Sequence, residues 1–359
     1  MIDQATGKNS RPPPDVGPPG DKPNGWKAVQ HMTDGSREKR TPALSNWGTF
    51  GDDDEIGTLN YLTADVVARA AGAVRTGERF PLNLPSNMPS VGPEQVPVFK
   101  IDAPGFKRVS HRVNTVIPQG LVTNDDHVVM ATQGSSQWDA FVHAGFDEPG
   151  VDGVFYNGVT RADVSSTGHA HRGGIDKIAQ VGIVGRGVLL DIARIVSGGG
   201  PEPLPLDYVI SVDDTIRCLR EQEIEIQPGD IVCFRTGWTE TFLDADDSYR
   251  VERMSVRPGG IHPQSPGITG DHATLAHEQR WSAVTADNPG IEAMPMPAPQ
   301  DTAHVRMLRN LGIPFGELFH FKALAEECAR DRRWDFMFVA VPLWIPGGAG
   351  SPANAIAIR

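Results

Sequence analysis

The stretch from Asp125 to Val159 gathers side chains that can hold an ion or move a proton. Gln133, Gln137, Asp139 and His143 fall within eleven residues, all at odd positions. Alternate side chains of an extended strand share a face, so the spacing predicts that these four point the same way. A straight strand would set Gln137 and Asp139 about 7 Å apart, but Gln133 and His143 roughly 33 Å apart. The four converge only if the chain bends, and Gly134-Ser135-Ser136 is the place for a bend. Asp139 offers a hard oxygen, Gln137 a neutral oxygen, and His143 either ligates or transfers protons. That is the composition of a metal-assisted hydrolytic site.

The same stretch, QGSSQWDAFVH, resembles the HxGTHxDxPxH signature of the cyclase family, which includes bacterial kynurenine formamidases and isatin hydrolases. Asp139 and His143 match it. Gln133 and Gln137 stand where the signature has histidines, and Phe141 stands where it has proline. This form, QxxxQWDxxxH, is similar to the variant of the trans-dienelactone hydrolases, a metal-dependent branch of the superfamily. The likeness extends over roughly residues 45 to 359, through the WG…DEIGTLN segment and the strand GIVGRGVLLD.

The resemblance implies an α/β chain of the swivelling cyclase fold, with a mixed, barrel-like sheet flanked by helices. It also implies a divalent ion, Zn²⁺ or Mn²⁺. In such relatives a late His, followed about a dozen residues on by a Glu, completes the site. His304 and Glu317 occupy those places, so the expected ligands are Gln133, Gln137, Asp139, His304 and Glu317. Asp287, Asn288 and Glu292 match a family segment expected to support the pocket from behind. His143 would take the proton of the attacking water and return it to the leaving group. Trp138, Phe141 and Tyr156 would form an aromatic wall for a planar substrate. The implied reaction is hydrolysis of a carbonyl bond in a small cyclic or aromatic compound: a lactone, an aryl formamide or a cyclic amide. An amide oxygen is a poorer zinc ligand than imidazole, so the two glutamines favour harder ions such as Mn²⁺. Two other readings stay open: metal-dependent dehydration or cyclisation, and a metal-free member of the fold that only binds a ligand. The resemblance further implies a homodimer or homotetramer.

Composition bounds the partners. The chain has 359 residues, 39% of them hydrophobic, ample for a large core. Its formal net charge of -12 argues against nucleic acid and anionic membrane surfaces. No apolar run approaches the roughly 20 residues that span a bilayer, and no secretory signal is visible. Cys218, Cys233 and Cys328 are isolated and odd in number, which suits buried small hydrophobes in a reducing cytoplasm. Residues 1–40, rich in Pro, Gly, Asp and Lys, read as a flexible arm ahead of one domain over 41–359.

The positioning elements follow from pattern. Thr63 caps a helix through VVARAAGAV, with the acids of DDDE in a solvated loop before it. Trp47 and Phe50 are core residues by default. Residues 111–117 and 126–132 read as strands leading into the motif, with His127 structural, and Tyr156-Asn157-Gly158 reads as a turn. In VGIVGRGVLLD the glycines precede the apolar strand, the wrong order for a dinucleotide fingerprint. Ser211 caps a helix through Glu223. His272 and His277 are five apart, not the four that share a helical face at zinc sites. His304 opens a short helix, Glu317 follows a glycine-bounded turn, and a helix, a strand, a glycine loop and a last strand close the chain.

Overall fold

Short apolar runs bounded by glycine and proline build the central sheet. In the computed structural model the described residues are 41–92, 96–98, 106–117, 120–148, 151–164, 172–256 and 263–359. The arm expected over 1–40, together with His169 and His171, lies outside them. Nine strands form one mixed sheet that curls into a half-barrel. In spatial order they are Arg79–Pro81, Ala355–Ile358, Asp335–Ala340, Ile183–Leu190, Ile231–Phe234, Ala283–Ala286, Phe315–Glu317, Gln137–Asp139 and Gly350–Pro352.

The four strands from Ile183–Leu190 to Phe315–Glu317 run parallel, and the flanking ones antiparallel. The central parallel strands, IVCF and AVTA, are buried at every residue, as expected where both faces of a sheet are covered. Asp335–Ala340 alternates between buried and half-buried, as a strand covered mainly on one face does.

The helices begin where their caps dictate. Thr63 Oγ accepts from Val66 N at the start of Ala64–Ala70. Ser211 and Asp214 form a capping box on Val212–Glu221. The three cysteines are free and buried. Burial pushes the thiols of Cys233 and Cys328 up to about 12, so they are inert packing groups. His272 is fully buried and meets Thr215 Oγ1 at 3.0 Å, which makes it a core residue and no zinc ligand.

One element stands apart. Among the described residues, strands Lys107–Ile117 and Leu121–Val129 pair only with each other. They carry Val113, Val116, Leu121, Val122 and Val128 more than half exposed. His127 lies on this ribbon, exposed, consistent with its being no ligand. None of the helices among the described residues is long and apolar enough to cross a membrane.

Candidate metal centre

The motif strand Gln137–Asp139 lies between Phe315–Glu317 and Gly350–Pro352, antiparallel to both. Gln137 sits opposite Glu317, and Asp139 opposite Phe315 on one side and Gly350 on the other. Alternation therefore puts Gln137, Asp139 and Glu317 on one face. The chain enters through the bend at Gly134–Ser136, where Ser136 O accepts from Ala353 N and Ser136 Oγ accepts from Leu84 N. It leaves through a second turn, closed by His143 N donating to Ala140 O at 2.9 Å. The two turns fold a span of roughly 33 Å back on itself and bring Gln133 and His143 beside Asp139.

His304 completes the cluster from above. It opens the helical turn His304–Arg309, and its ring packs edge-on to Phe315, with centroids 5.2 Å apart. Its backbone N and its Nδ1 both reach Glu292 Oε1, at 2.9 and 2.6 Å. A ring that donates through Nδ1 aims its other nitrogen inward. Nε2 lies 3.5 Å from Glu317 Oε1 and 3.8 Å from Asp139 Oδ2. His143 Nε2 also stands 3.8 Å from Asp139 Oδ2.

The carboxylates and the His304 ring shift one another's protonation. Burial lowers the affinity of His304 for a second proton, but its contacts with Asp139, Glu292 and Glu317 outweigh it and hold the pKa well above the ordinary value. Burial, together with the charge of Asp139, raises Glu317 against the opposing pull of His304.

The fit to an ion rests on orphaned oxygens. Gln137 Oε1, Asp139 Oδ2 and Glu317 Oε1 are buried and have no hydrogen-bond partner among the described residues. A buried acceptor left unmade costs about 1–3 kcal/mol, and the two carboxylate oxygens that face His304 Nε2 are positions an ion could fill. Two ligands each about 2.1 Å from one ion stand at most about 4.2 Å apart, and the separations of 3.5 and 3.8 Å fall inside that limit. Ligand atoms of Asp139, His143 and His304 all lie within 4.8 Å of one another. Oxygen donors with one or two imidazoles suit a divalent ion of the Zn²⁺ or Mn²⁺ kind.

The outer atoms are held by amides. Gln137 Nε2 donates to Glu317 Oε2 at 2.7 Å, and the Gln137 oxygen is buried without a partner among the described residues. Gln133 presents its nitrogen instead, to Asp139 Oδ1 and, at 2.7 Å, to His143 Nδ1.

The expected aromatic wall is a correction. Trp138, Phe141 and Tyr156 are 0%, 1% and 2% exposed. Trp138 points away from Gln137 and Asp139 and packs its edges on Phe319 and Phe338, with its N–H given to Ala353 O. Phe141 stacks at a tilt on Tyr156, whose hydroxyl donates to Asp54 Oδ2 at 2.9 Å. These rings are core, and the strand alternation that unites Gln137 with Asp139 is what turns Trp138 away. Asp54, from the acidic loop, also accepts from Gly57 N and Asn60, so that loop organises backbone. Trp47 gives its N–H to Arg309 O and is likewise buried. Sequence reasoning placed Glu292 in a supporting role without a partner, and the structure gives it one, the His304 ring.

Comparison with known proteins bears on the family and the fold. The Cyclase family model matches residues 86–293. A crystal structure described as a novel cyclase is 34% identical, with a TM-score of 0.75, covering 88% of this chain and 100% of that one. Isatin hydrolase A from Labrenzia aggregata, bound to benzyl benzoate, is 20% identical with a TM-score of 0.53, covering 84% and 98%. An isatin hydrolase bound to the product analogue thioisatinate is 19% identical with a TM-score of 0.51, covering 83% and 96%. The last two share the fold. No curated protein matches the chain.

Proposed function

The chain belongs to the cyclase family, and from that premise we propose that it is a metal-dependent hydrolase of a carbonyl bond in a small cyclic or aromatic compound. Asp139, Glu317, Gln137 and His304 would hold a divalent ion. The observation that carries this reading is the convergence of two buried carboxylate oxygens, Asp139 Oδ2 and Glu317 Oε1, on the inward nitrogen of His304. When bound there, the ion lowers the pKa of a coordinated water and polarises the substrate carbonyl.

The chain's own residues do the rest. Glu292 fixes the His304 ring through Nδ1, and Gln137 fixes Glu317. His143 faces the same centre and is the side chain placed to exchange a proton or a hydrogen bond with the reacting oxygens. Which of the two it does depends on which ring nitrogen carries the proton. The substrate class, a lactone, aryl formamide or cyclic amide, is the one the family supports. A similar fold in the isatin hydrolases adds support for the cyclic amide.

Elemental analysis of the purified protein beside Asp139→Ala tests the site. A near-stoichiometric divalent metal present in the parent and missing from the variant is the expected result. No uptake even with excess Zn²⁺ or Mn²⁺ would sink the mechanism in favour of a metal-free ligand-binding protein. A pH-stat panel then separates hydrolysis from dehydration, since opening an ester or lactone releases acid and dehydration does not.

A further inference from the structure

Gln133 turns its amide nitrogen toward the centre's side chains. That orientation follows from charge, because an amide oxygen against the Asp139 carboxylate would set two acceptors face to face. An amide –NH₂ has two hydrogens. One goes to Asp139 Oδ1, and the other is directed at His143 Nδ1, 2.7 Å away. To receive it, Nδ1 must be a bare lone pair, and the ring's proton then sits on Nε2.

We propose that Gln133 is a positioning residue and no metal ligand: it holds His143 as the neutral Nε2–H tautomer and so makes His143 a hydrogen-bond donor to the reacting oxygen. The proposal deepens the hydrolase reading and rests on it for what the donor acts upon. A second observation supports a built position. Gly350 lies opposite Asp139 on the neighbouring strand, and a Cβ there would come within 2.7 Å of Gln133 Cγ and 2.9 Å of its Cδ. The bare glycine leaves room both for the glutamine and for the Trp138 carbonyl, which a Cβ would approach to 2.8 Å.

The consequence for the chemistry is specific. With Nδ1 accepting from Gln133 and Nε2 protonated, His143 has no lone pair to offer the attacking water. Its Nε2–H, on the side facing Asp139 Oδ2, instead stabilises the carbonyl oxygen as negative charge builds on it. Neutral imidazole serves as such an electrophile elsewhere, where its surroundings fix the tautomer.

The test reads the tautomer directly. The protein is prepared metal-free with ring-¹⁵N histidine, and His143 is assigned by the signals lost in His143→Asn. The expected spectrum has an unprotonated Nδ1 and a protonated Nε2. Gln133→Glu, which exchanges the donor for an acceptor, should move the proton to Nδ1. Gln133→Leu, which keeps the bulk and removes the donor, should give a tautomer mixture. Gln133→Met should keep the metal content of the parent and lose on the order of 10²-fold in kcat with little change in KM. A parent protein protonated at Nδ1, a tautomer indifferent to Gln133→Glu, or loss of metal in Gln133→Met would each overturn the assignment. The tautomer measurements need neither metal nor substrate. A protein that hydrolyses nothing therefore still decides the role of Gln133, and a wrong tautomer leaves the proposed reaction standing.

Discussion

Two of the buried carboxylate clusters among the described residues are finished in opposite ways. In one, Arg235 bridges Asp191 and Glu240, giving Nη1 to Asp191 at 2.7 Å and clasping both Glu240 oxygens at 2.8 and 2.9 Å. Arg194 takes the remaining Asp191 oxygen at 3.0 Å. In the other, Asp139 and Glu317 meet only amides and imidazoles, and each keeps one buried oxygen unpartnered. The first cluster carries its cations in the chain. The second faces imidazoles, which can give up their protons to make way for an ion, in place of guanidinium groups, which cannot. Buried charge alone therefore does not mark a functional site, whereas buried charge held only by exchangeable partners points to one.

The largest effect should come from emptying the second cluster. Asp139→Ala should abolish metal uptake and lower hydrolysis by about three orders of magnitude or more, since the ion supplies several kcal/mol at the reacting oxygens. In the metal-free protein it also removes one of the carboxylates that hold the His304 pKa up, so that pKa should fall toward its ordinary value. A histidine NMR titration of both metal-free proteins checks this, and an unchanged His304 would contradict it. Arg235→Met should behave in reverse. It strands Asp191 and Glu240 without their cation, costs about 3–5 kcal/mol of stability and leaves metal content intact in the protein that folds.

His272 extends the comparison to a buried base with only neutral hydrogen-bond partners, Thr215 and the Thr269 carbonyl. Burial lowers its pKa to about 4 from an ordinary 6.5. Between those values the unfolded chain binds a proton that the folded one refuses, so this residue withdraws stability as pH falls from 6.5 to 4 and contributes nothing above 6.5. The loss reaches roughly 3 kcal/mol at 1.36 kcal/mol per unit. Asp230 and Asp287, raised by burial to about 6, work in the opposite sense over the same range. The difference between the stability–pH profiles of the parent and His272→Gln isolates the histidine, and superimposable profiles would contradict it. The smallest effect belongs to Glu292→Gln. The amide can still accept from His304 Nδ1 but without charge, and metal affinity should fall about 10- to 100-fold, read by titration calorimetry.

Much of the centre was legible from residue type and spacing. Period-two alternation put Gln137 and Asp139 together, and the small residues 134–136 marked the bend. The turn at 140–143 carried no such signal, because Ala140, Phe141 and Val142 include none of the usual turn residues. Without it the return of His143 toward Asp139 could not be placed. The late partners His304 and Glu317 came from family likeness, since nothing local in either segment announces that Glu317 lies opposite Gln137 across a strand pair. The aromatic wall failed for a local reason. Trp138 sits between two inward residues, and its neighbours on the reverse face are Phe319 and Phe338. The role of Gly350 was illegible, because a glycine's value there lies in the space it leaves for a residue more than two hundred positions away.

The ribbon of Lys107–Ile117 and Leu121–Val129 has a consequence of its own. A two-stranded ribbon that shares no sheet with the body draws its stability from one ladder of hydrogen bonds and is marginal by itself. Its amides can therefore exchange hydrogen with solvent through openings that the nine-stranded sheet never feels. The buried amides of Ile231–Phe234 exchange only when the whole domain unfolds. One chain thus keeps two clocks, and the fast one runs on the segment that leads directly into Gln133.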